Sequence, residues 1–212
     1  MKIGILGSGE VGQALALGFL ERGDEVTLGS RSPKKLAGWI AEHAPARAAS
    51  FEEAAERADL VVLAVSGGHA LDVVRSVGAQ RLSGKVVIDV TNPVTEDAPV
   101  NGVLRFFTTP DESLLERLQR ACPDARFVKA FNSVGAAHMV KPRFAGGPPT
   151  MFFCGNDEAA RRTVAGILES FGWDPYDMGQ AEAARAIEPL CLLWCIPGFL
   201  RDEWDHAFKL LR

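Results

Sequence analysis

Two clusters in this chain have the residue types and spacing to hold a nucleotide. Gly7-Ser8-Gly9-Glu10-Val11-Gly12 reads G-x-G-x-x-G. In such a turn Gly7 makes the tight bend, Gly9 lets a diphosphate come up against the backbone, and Gly12 lets a helix pack close to its strand. The first N–H groups of that helix then meet the phosphates with the positive end of its dipole. The second cluster, Gly29-Ser30-Arg31-Ser32 with Pro33-Lys34-Lys35, stands about 20 residues on, where an NAD site sets an acidic residue against the ribose 2′-hydroxyl. Here two hydroxyls, a guanidinium and two ammonium groups converge, and no carboxylate opposes them. Arg31 can grip a phosphate bidentately and stack on adenine. The chemistry implied is binding of a dinucleotide that carries a 2′-phosphate, NADP(H). Ser32 has a second reading, as the cap of the helix that Pro33 would open.

Such a site needs a strand, a turn and a helix in that order. Ile3, Ile5 and Leu6 supply the strand, and Val11, Ala14, Leu15, Gly18 and Phe19 mark one face of the helix. The pattern then repeats. Strands are predicted at 25–29, within 45–49, at 59–65, 85–90 and 125–130, and helices at 33–43, from a Ser50–Glu53 capping box to about 58, at 70–80 and at 111–121. Asp59–Val65 is apolar almost throughout, as a strand buried on both faces should be. The fold class expected is α/β: a Rossmann-type, doubly wound, mostly parallel sheet with helices on both faces. Residues 95–110 read as a loop with room to move. Pro142–Pro149 is the best domain boundary, dividing a nucleotide-binding domain (1–145) from a C-terminal extension (146–212). That extension reads as strand 150–154, helix 157–171, strand 173–177 and a helical region 181–211 broken near Pro189 and at Pro197-Gly198.

Bulk properties exclude several classes. A chain of 212 residues with 47% hydrophobic and 24% charged residues is an ordinary globule. Its net charge of −4 and lack of a basic stripe argue against nucleic acid. The first residues enter a strand at once, leaving no room for a signal peptide, and Leu190–Leu200 is too short to span a bilayer. Cys122, Cys154, Cys191 and Cys195 form no C-x-x-C motif or metal-ligand cluster, so no metal is expected. A reduced, cytoplasmic protein fits these features.

Ligands of open α/β sheets bind beyond the carboxyl ends of the strands. Three stretches fall there: Ser66-Gly67-Gly68-His69, Thr91-Asn92-Pro93-Val94, and Phe131 to His138. They offer small and amide side chains and no coupled titratable pair, so no catalytic acid or base is assigned. His69 and His138 are near the site by loop position, where each could bind a phosphate or serve only as a hydrogen-bonded loop residue. Asn132 could orient a nicotinamide or cap a local turn. His43 and His206 fall on predicted helices away from the ligand edge. Lys129 lies inside a strand, where its side chain should reach a partner at the sheet face.

The ordered set GSGEVG, GSRSPKK, DVTNPV, VKAFNSVGA and DMGQAEAARAIEPL resembles the NADPH-dependent F420 reductases (F420H2:NADP oxidoreductases) over nearly the whole chain. Relatives of that family include the oxidoreductase domain of six-transmembrane ferric reductases. The resemblance implies that Ser8, Gly9, Glu10 and Val11 line the pyrophosphate turn and that Ser30, Arg31 and Lys35 hold the 2′-phosphate. It further implies that Val65, Ser66, Asn92 and Pro93 lie beside the ribose and nicotinamide, with the Ala136 backbone on the carboxamide. The archaeal enzymes carry proline and tryptophan where this chain has Ser66-Gly67-Gly68, and histidine–threonine where it has Phe131 and Asn132. Both departures border the electron acceptor.

The function expected is hydride transfer between NADPH and a small-molecule acceptor of deazaflavin (coenzyme F420) or flavin (FMN or FAD) type. Two alternatives stand beside it. One is a dehydrogenase or imine reductase of the β-hydroxyacid or pyrroline-carboxylate type, a class that normally adds a larger helical domain. The other is a non-catalytic NADPH-binding sensor. Leu190, Leu193, Trp194, Phe199, Trp204 and Phe208 offer more apolar surface than one helix can bury, which predicts a homodimer.

Overall fold

The computed structural model describes residues 1–211. Lys2–Leu6 (β1) buries four residues in succession, Ile3 to Leu6, because both faces of its sheet are covered. Glu10–Glu21 (α1) lays Leu15, Ala16 and Phe19 on one face, and Glu25–Gly29 (β2) returns parallel to β1. Pro33–Leu36 is a 3-10 turn, so only Ala37–Glu42 (α2) of the expected 33–43 helix is α-helical. No residue of α2 is buried, which leaves a longer helix without an apolar face to hold it. Arg47–Ala49 (β3) follows, then Phe51–Arg57 (α3), opened by the Ser50–Glu53 capping box.

Leu60–Leu63 (β4) is buried at every position. The sheet continues through Gly67–Val77 (α4), Ala79–Leu82 (α5), Val86–Asp89 (β5), Leu114–Ala121 (α6) and Arg126–Lys129 (β6). The strands lie in the order β3-β2-β1-β4-β5-β6, every neighbouring pair parallel. Strand order reverses between β1 and β4, and a crevice opens there at the carboxyl edge.

Thr150–Phe153 (β7), Glu158–Ser170 (α7) and Asp174–Asp177 (β8) form a second, two-stranded parallel unit. It joins the main sheet through an antiparallel bridge between Lys129 and Cys154. Its core is shared: Met151, Phe153, Val164 and Phe171 belong to the same apolar cluster as Ile3, Leu15 and Phe19. A second cluster, with Leu63, Val74, Leu118 and Phe127, fills the opposite face of the sheet. The chain then runs through Ala184–Ile187 (α8) and Leu190–Arg201 (α9).

Several expected boundaries move for local reasons. The stretch expected as loop at 66–69 is already helical from Gly67, with Ser66 at the cap, and the helix stops at Gly78 (φ +85°). At 111–121 the helix begins only at Leu114, where Ser113 and Glu116 close a second capping box. Residues 95–110 are irregular but held by antiparallel bridges, Val94 with Phe106 and Val100 with Val103. Pro197-Gly198 does not break α9. The carbonyl that Pro197 cannot bond belongs to Leu193, an exposed residue, so the proline falls on the outer side of the helix. Gly198 is needed for another reason: a Cβ there would lie 2.3 Å from the Trp204 ring. The helix ends at Arg201, and the remaining described residues, His206 included, are not helical. By length and composition alone Ala181–Arg201 is apolar enough to cross a membrane, with 39% of its most apolar stretch buried in the protein.

The start of α6 is also tied to the later chain. Arg185 forks onto Glu116, and its hydrogen bond, followed by those from Ser113, holds that carboxyl down at about 2 against the cost of burial.

Candidate functional site

The glycine turn has the geometry its spacing predicts. Gly7 sits at φ +137°, and a Cβ there would fall 2.1 Å from the Ala64 carbonyl oxygen. A Cβ on Gly12 would fall 2.1 Å from the Gly7 carbonyl oxygen, so α1 touches its own turn backbone to backbone. At Gly9, the N-cap of α1, a Cβ would meet nothing within 4 Å. The space over Gly9 is open to a ligand, while that over Gly7 and Gly12 is filled by protein. Ser8 Oγ donates to Ser30 Oγ at 3.3 Å and joins this turn to the end of β2. Ser30 Oγ also accepts from the Ser32 N–H at 3.1 Å. Ser32 makes no side-chain cap bond, so its hydroxyl stays exposed. Arg31, Lys34 and Lys35 are exposed, and none of them pairs with a protein carboxylate among the described residues. Three unpaired cations beside two hydroxyls fit a phosphate dianion, and the open turn fits a diphosphate.

A cleft of ≈ 580 Å³ runs along the carboxyl edge from this turn. Of the expected site residues, Gly9, Glu10, Val11, Val65, Ser66 and Asn92 line it. Thr91 and Val94, from a stretch already expected at the ligand edge, line it too, and sequence reasoning missed Thr95 and Glu96. Their only signal was position, in the segment that follows β5. A second depression of ≈ 480 Å³ lies at the amino edge of the same sheet, around Lys2, Arg47 and Arg57.

Other expected residues lie outside the cleft walls. Pro93 is buried, and its carbonyl accepts from Phe107 N. Asn132 is 3% exposed, and its Nδ2 donates to Asn92 Oδ1 and to the Ile187 carbonyl. In return Asn92 Nδ2 donates to the Asn132 carbonyl. Asn132 is thus a brace for Asn92, which does line the cleft. Ala136 opens a 3-10 turn, Ala136–His138, packed against α1. His69 is exposed in the first turn of α4. His138 pairs with Asp205 at 2.9 Å, and His206 stacks on Trp194.

A buried ionic cluster that lies outside the three ligand-edge stretches stands behind them, at the ends of β5 and β6. Lys129 is fully buried at the end of β6, and its Nζ lies 2.6 Å from Asp89 Oδ2 and 3.1 Å from Glu188 Oε1. It also donates to the Thr91 carbonyl at 2.8 Å. Burial pulls this ammonium down, but Asp89 and then Glu188 outweigh it and hold it above its ordinary value. Lys129 is a fixed cation and not a base. Asp89 Oδ1 accepts from the backbone and hydroxyl of Thr91, and Glu188 accepts from Leu114 N and Leu115 N at the start of α6. All four cysteines are free and buried.

The strand order and the open glycine turn together are those of the Rossmann class of dinucleotide-binding folds. Residues 2–93 match the family model described as NADP oxidoreductase, coenzyme F420-dependent. The chain is 36% identical, with a TM-score of 0.93 and complete coverage of both chains, to a crystal structure from Arthrobacter sp. FB24 provisionally described as an F420-dependent NADP reductase. It is 34% identical over 152 residues to the F420-dependent NADP reductase of Methanothermobacter marburgensis, covering 66% of each chain. It is 33% identical over 204 residues to the metalloreductase STEAP3 of Rattus norvegicus, covering 94% of this chain. The chain spans only 39% of that relative's length. It belongs to the F420-dependent NADP oxidoreductase family.

Proposed function

We propose that this chain moves a hydride between NADP(H) and a flat-ring acceptor of deazaflavin (coenzyme F420) or flavin (FMN or FAD) type. The observation that carries the reading is the open glycine turn, which lines a ≈ 580 Å³ cleft and is joined through Ser8 and Ser30 to the strand end followed by the exposed Arg31, Lys34 and Lys35. The acceptor class is supported by the relatives from Methanothermobacter and Arthrobacter, whose descriptions name F420. When bound, NADPH supplies the hydride, so the chain's task is alignment. Residues 1–145 bind the nucleotide: Ser8, Glu10 and Val11 at the diphosphate, Ser30, Arg31, Ser32 and Lys35 at the 2′-phosphate. Val65, Ser66 and Asn92 border the ribose and nicotinamide. Small residues there leave room for a ring to stack, and proximity carries most of the rate. Residues 146–212 complete the acceptor side and form the contact of a homodimer in the cytoplasm. Leu193, Phe199, Leu200 and Trp204 are exposed on this segment, with Val100 and Val103 also exposed in the loop that packs on α9 at Leu200.

Single-turnover oxidation of NADPH deuterated at one C4 face, with F420, FMN, FAD and a ferric chelate as acceptors, tests this reading. A primary isotope effect is expected with a ring acceptor. His69→Ala and His138→Ala should change acceptor affinity more than the transfer rate. A loss of about 100-fold or more in that rate would mark a lost general acid and favour a carbonyl or imine acceptor. NADPH binding without oxidation by any acceptor would favour the sensor.

A further inference from the structure

Lys129 touches neither the cleft nor the exterior, yet one of its hydrogen bonds ends on the cleft wall. Its ammonium is held from three directions. Asp89 sits opposite it in the β5–β6 register, Glu188 comes from the segment between α8 and α9, and the Thr91 carbonyl comes from the turn after β5. Asp89 grips the same turn a second time through the Thr91 amide and hydroxyl at 2.9 and 2.7 Å. Thr91 and Asn92 line the cleft. Asn92 in turn is tied through Asn132 to the Ile187 carbonyl, one residue before Glu188. Two independent hydrogen-bonded routes therefore run from residues 187–188 to one short cleft segment. The bonds at Lys129 and at the Ile187 carbonyl are buried, so water does not compete for them, while the Asn92–Asn132 bonds are part-buried at the cleft.

We propose that Lys129 is a positioning residue. Its ammonium locks the Thr91-Asn92 segment at the nicotinamide half of the bound dinucleotide and makes that lock depend on the seating of the C-terminal segment through Glu188. The assignment rests on the cofactor reading above. The adenosine end, at Ser30, Arg31 and Lys35, lies at the end of β2, two strands away from β4 and three from β5. A change at Lys129 should therefore separate the two halves of the ligand.

The experiment measures binding of NADPH and of 2′,5′-ADP, a fragment that reaches only the adenosine end. Lys129→Met leaves two carboxylates buried and threatens folding. The combined variant Lys129→Met, Asp89→Asn, Glu188→Gln removes every charge of the cluster. It keeps an acceptor for Thr91, since an amide oxygen takes the place of the Asp89 carboxylate oxygen. In whichever variant folds cooperatively, the Kd for NADPH should rise about tenfold. The Kd for 2′,5′-ADP should change less than about twofold, and the fluorescence of bound NADPH should shift toward that of the free cofactor. Glu188→Gln alone should give the same pattern more weakly. Equal weakening of both ligands, or no weakening of either, would overturn the assignment and leave the cluster a purely structural one. If the wild-type chain bound 2′,5′-ADP but not NADPH, or neither ligand, the cofactor reading itself would fall.

Discussion

Arg31→Ala should weaken NADPH binding by about 10- to 100-fold and leave NADH binding nearly unchanged, because a charge-assisted hydrogen bond contributes roughly 1.5–3 kcal/mol. Arg31 is exposed and has no protein carboxylate to lose, so the substitution does not unbalance the fold. The loss belongs to the ligand alone. Lys35→Ala should follow with a smaller effect, since an ammonium meets phosphate as a point charge without the two-pronged geometry of a guanidinium. Fluorescence titration with both cofactors, beside thermal unfolding of each variant, gives the result directly. Equal losses for NADPH and NADH would remove Arg31 from the 2′-phosphate and reopen the choice of cofactor.

The glycine turn was legible because its geometry is local. Gly7, Gly9 and Gly12 differ by two and three positions, and a glycine's role follows from backbone geometry that neighbours in sequence impose. Ser50 and Glu53 are legible for the same reason: a capping box is contained within one helical turn. The parallel, doubly wound class followed from alternation of short apolar runs with helical patterns, whereas the spatial order of the strands did not. The buried cluster was not legible, because Asp89, Lys129 and Glu188 come from two strands and a distant helical segment. Only the parallel register that sets Asp89 opposite Lys129 brings the first two together. Sequence did indicate that Lys129 needed a partner, but not which one. Thr95 and Glu96 were missed because an irregular segment has no period to read. The region around Pro197 misleads because propensity penalises proline inside a helix, whereas packing of Trp204 over Gly198 holds the last turn in place.

Lys129→Met alone should cost about 3–5 kcal/mol of stability, the range for removing one partner from a buried ion pair. The wild-type cluster sets one ammonium against two carboxylates, and the N-terminal amides of α6 share the excess negative charge. Without the ammonium, two carboxylates remain in the core with only hydrogen-bond donors facing them. Cys154 and Cys191, which both feel the Lys129 charge, are thiols that stay neutral; burial pushes Cys154 up to about 12, and a hydrogen bond with Cys195, then burial, raises Cys191. The pH dependence separates this account from loss of packing. In the wild type the folded lysine lies above its ordinary value of 10.5, so its contribution is complete below 10.5 and is lost as pH rises through the folded value. The methionine of the variant has no proton to lose in that range, so the variant lacks this alkaline decline. Urea unfolding of both proteins at pH about 8 and about 11 should therefore show a stability gap that narrows on the alkaline side. A gap of the same size at both pH values would mean that the poorer packing of the methionine side chain, and not the lost charge, accounts for the destabilisation.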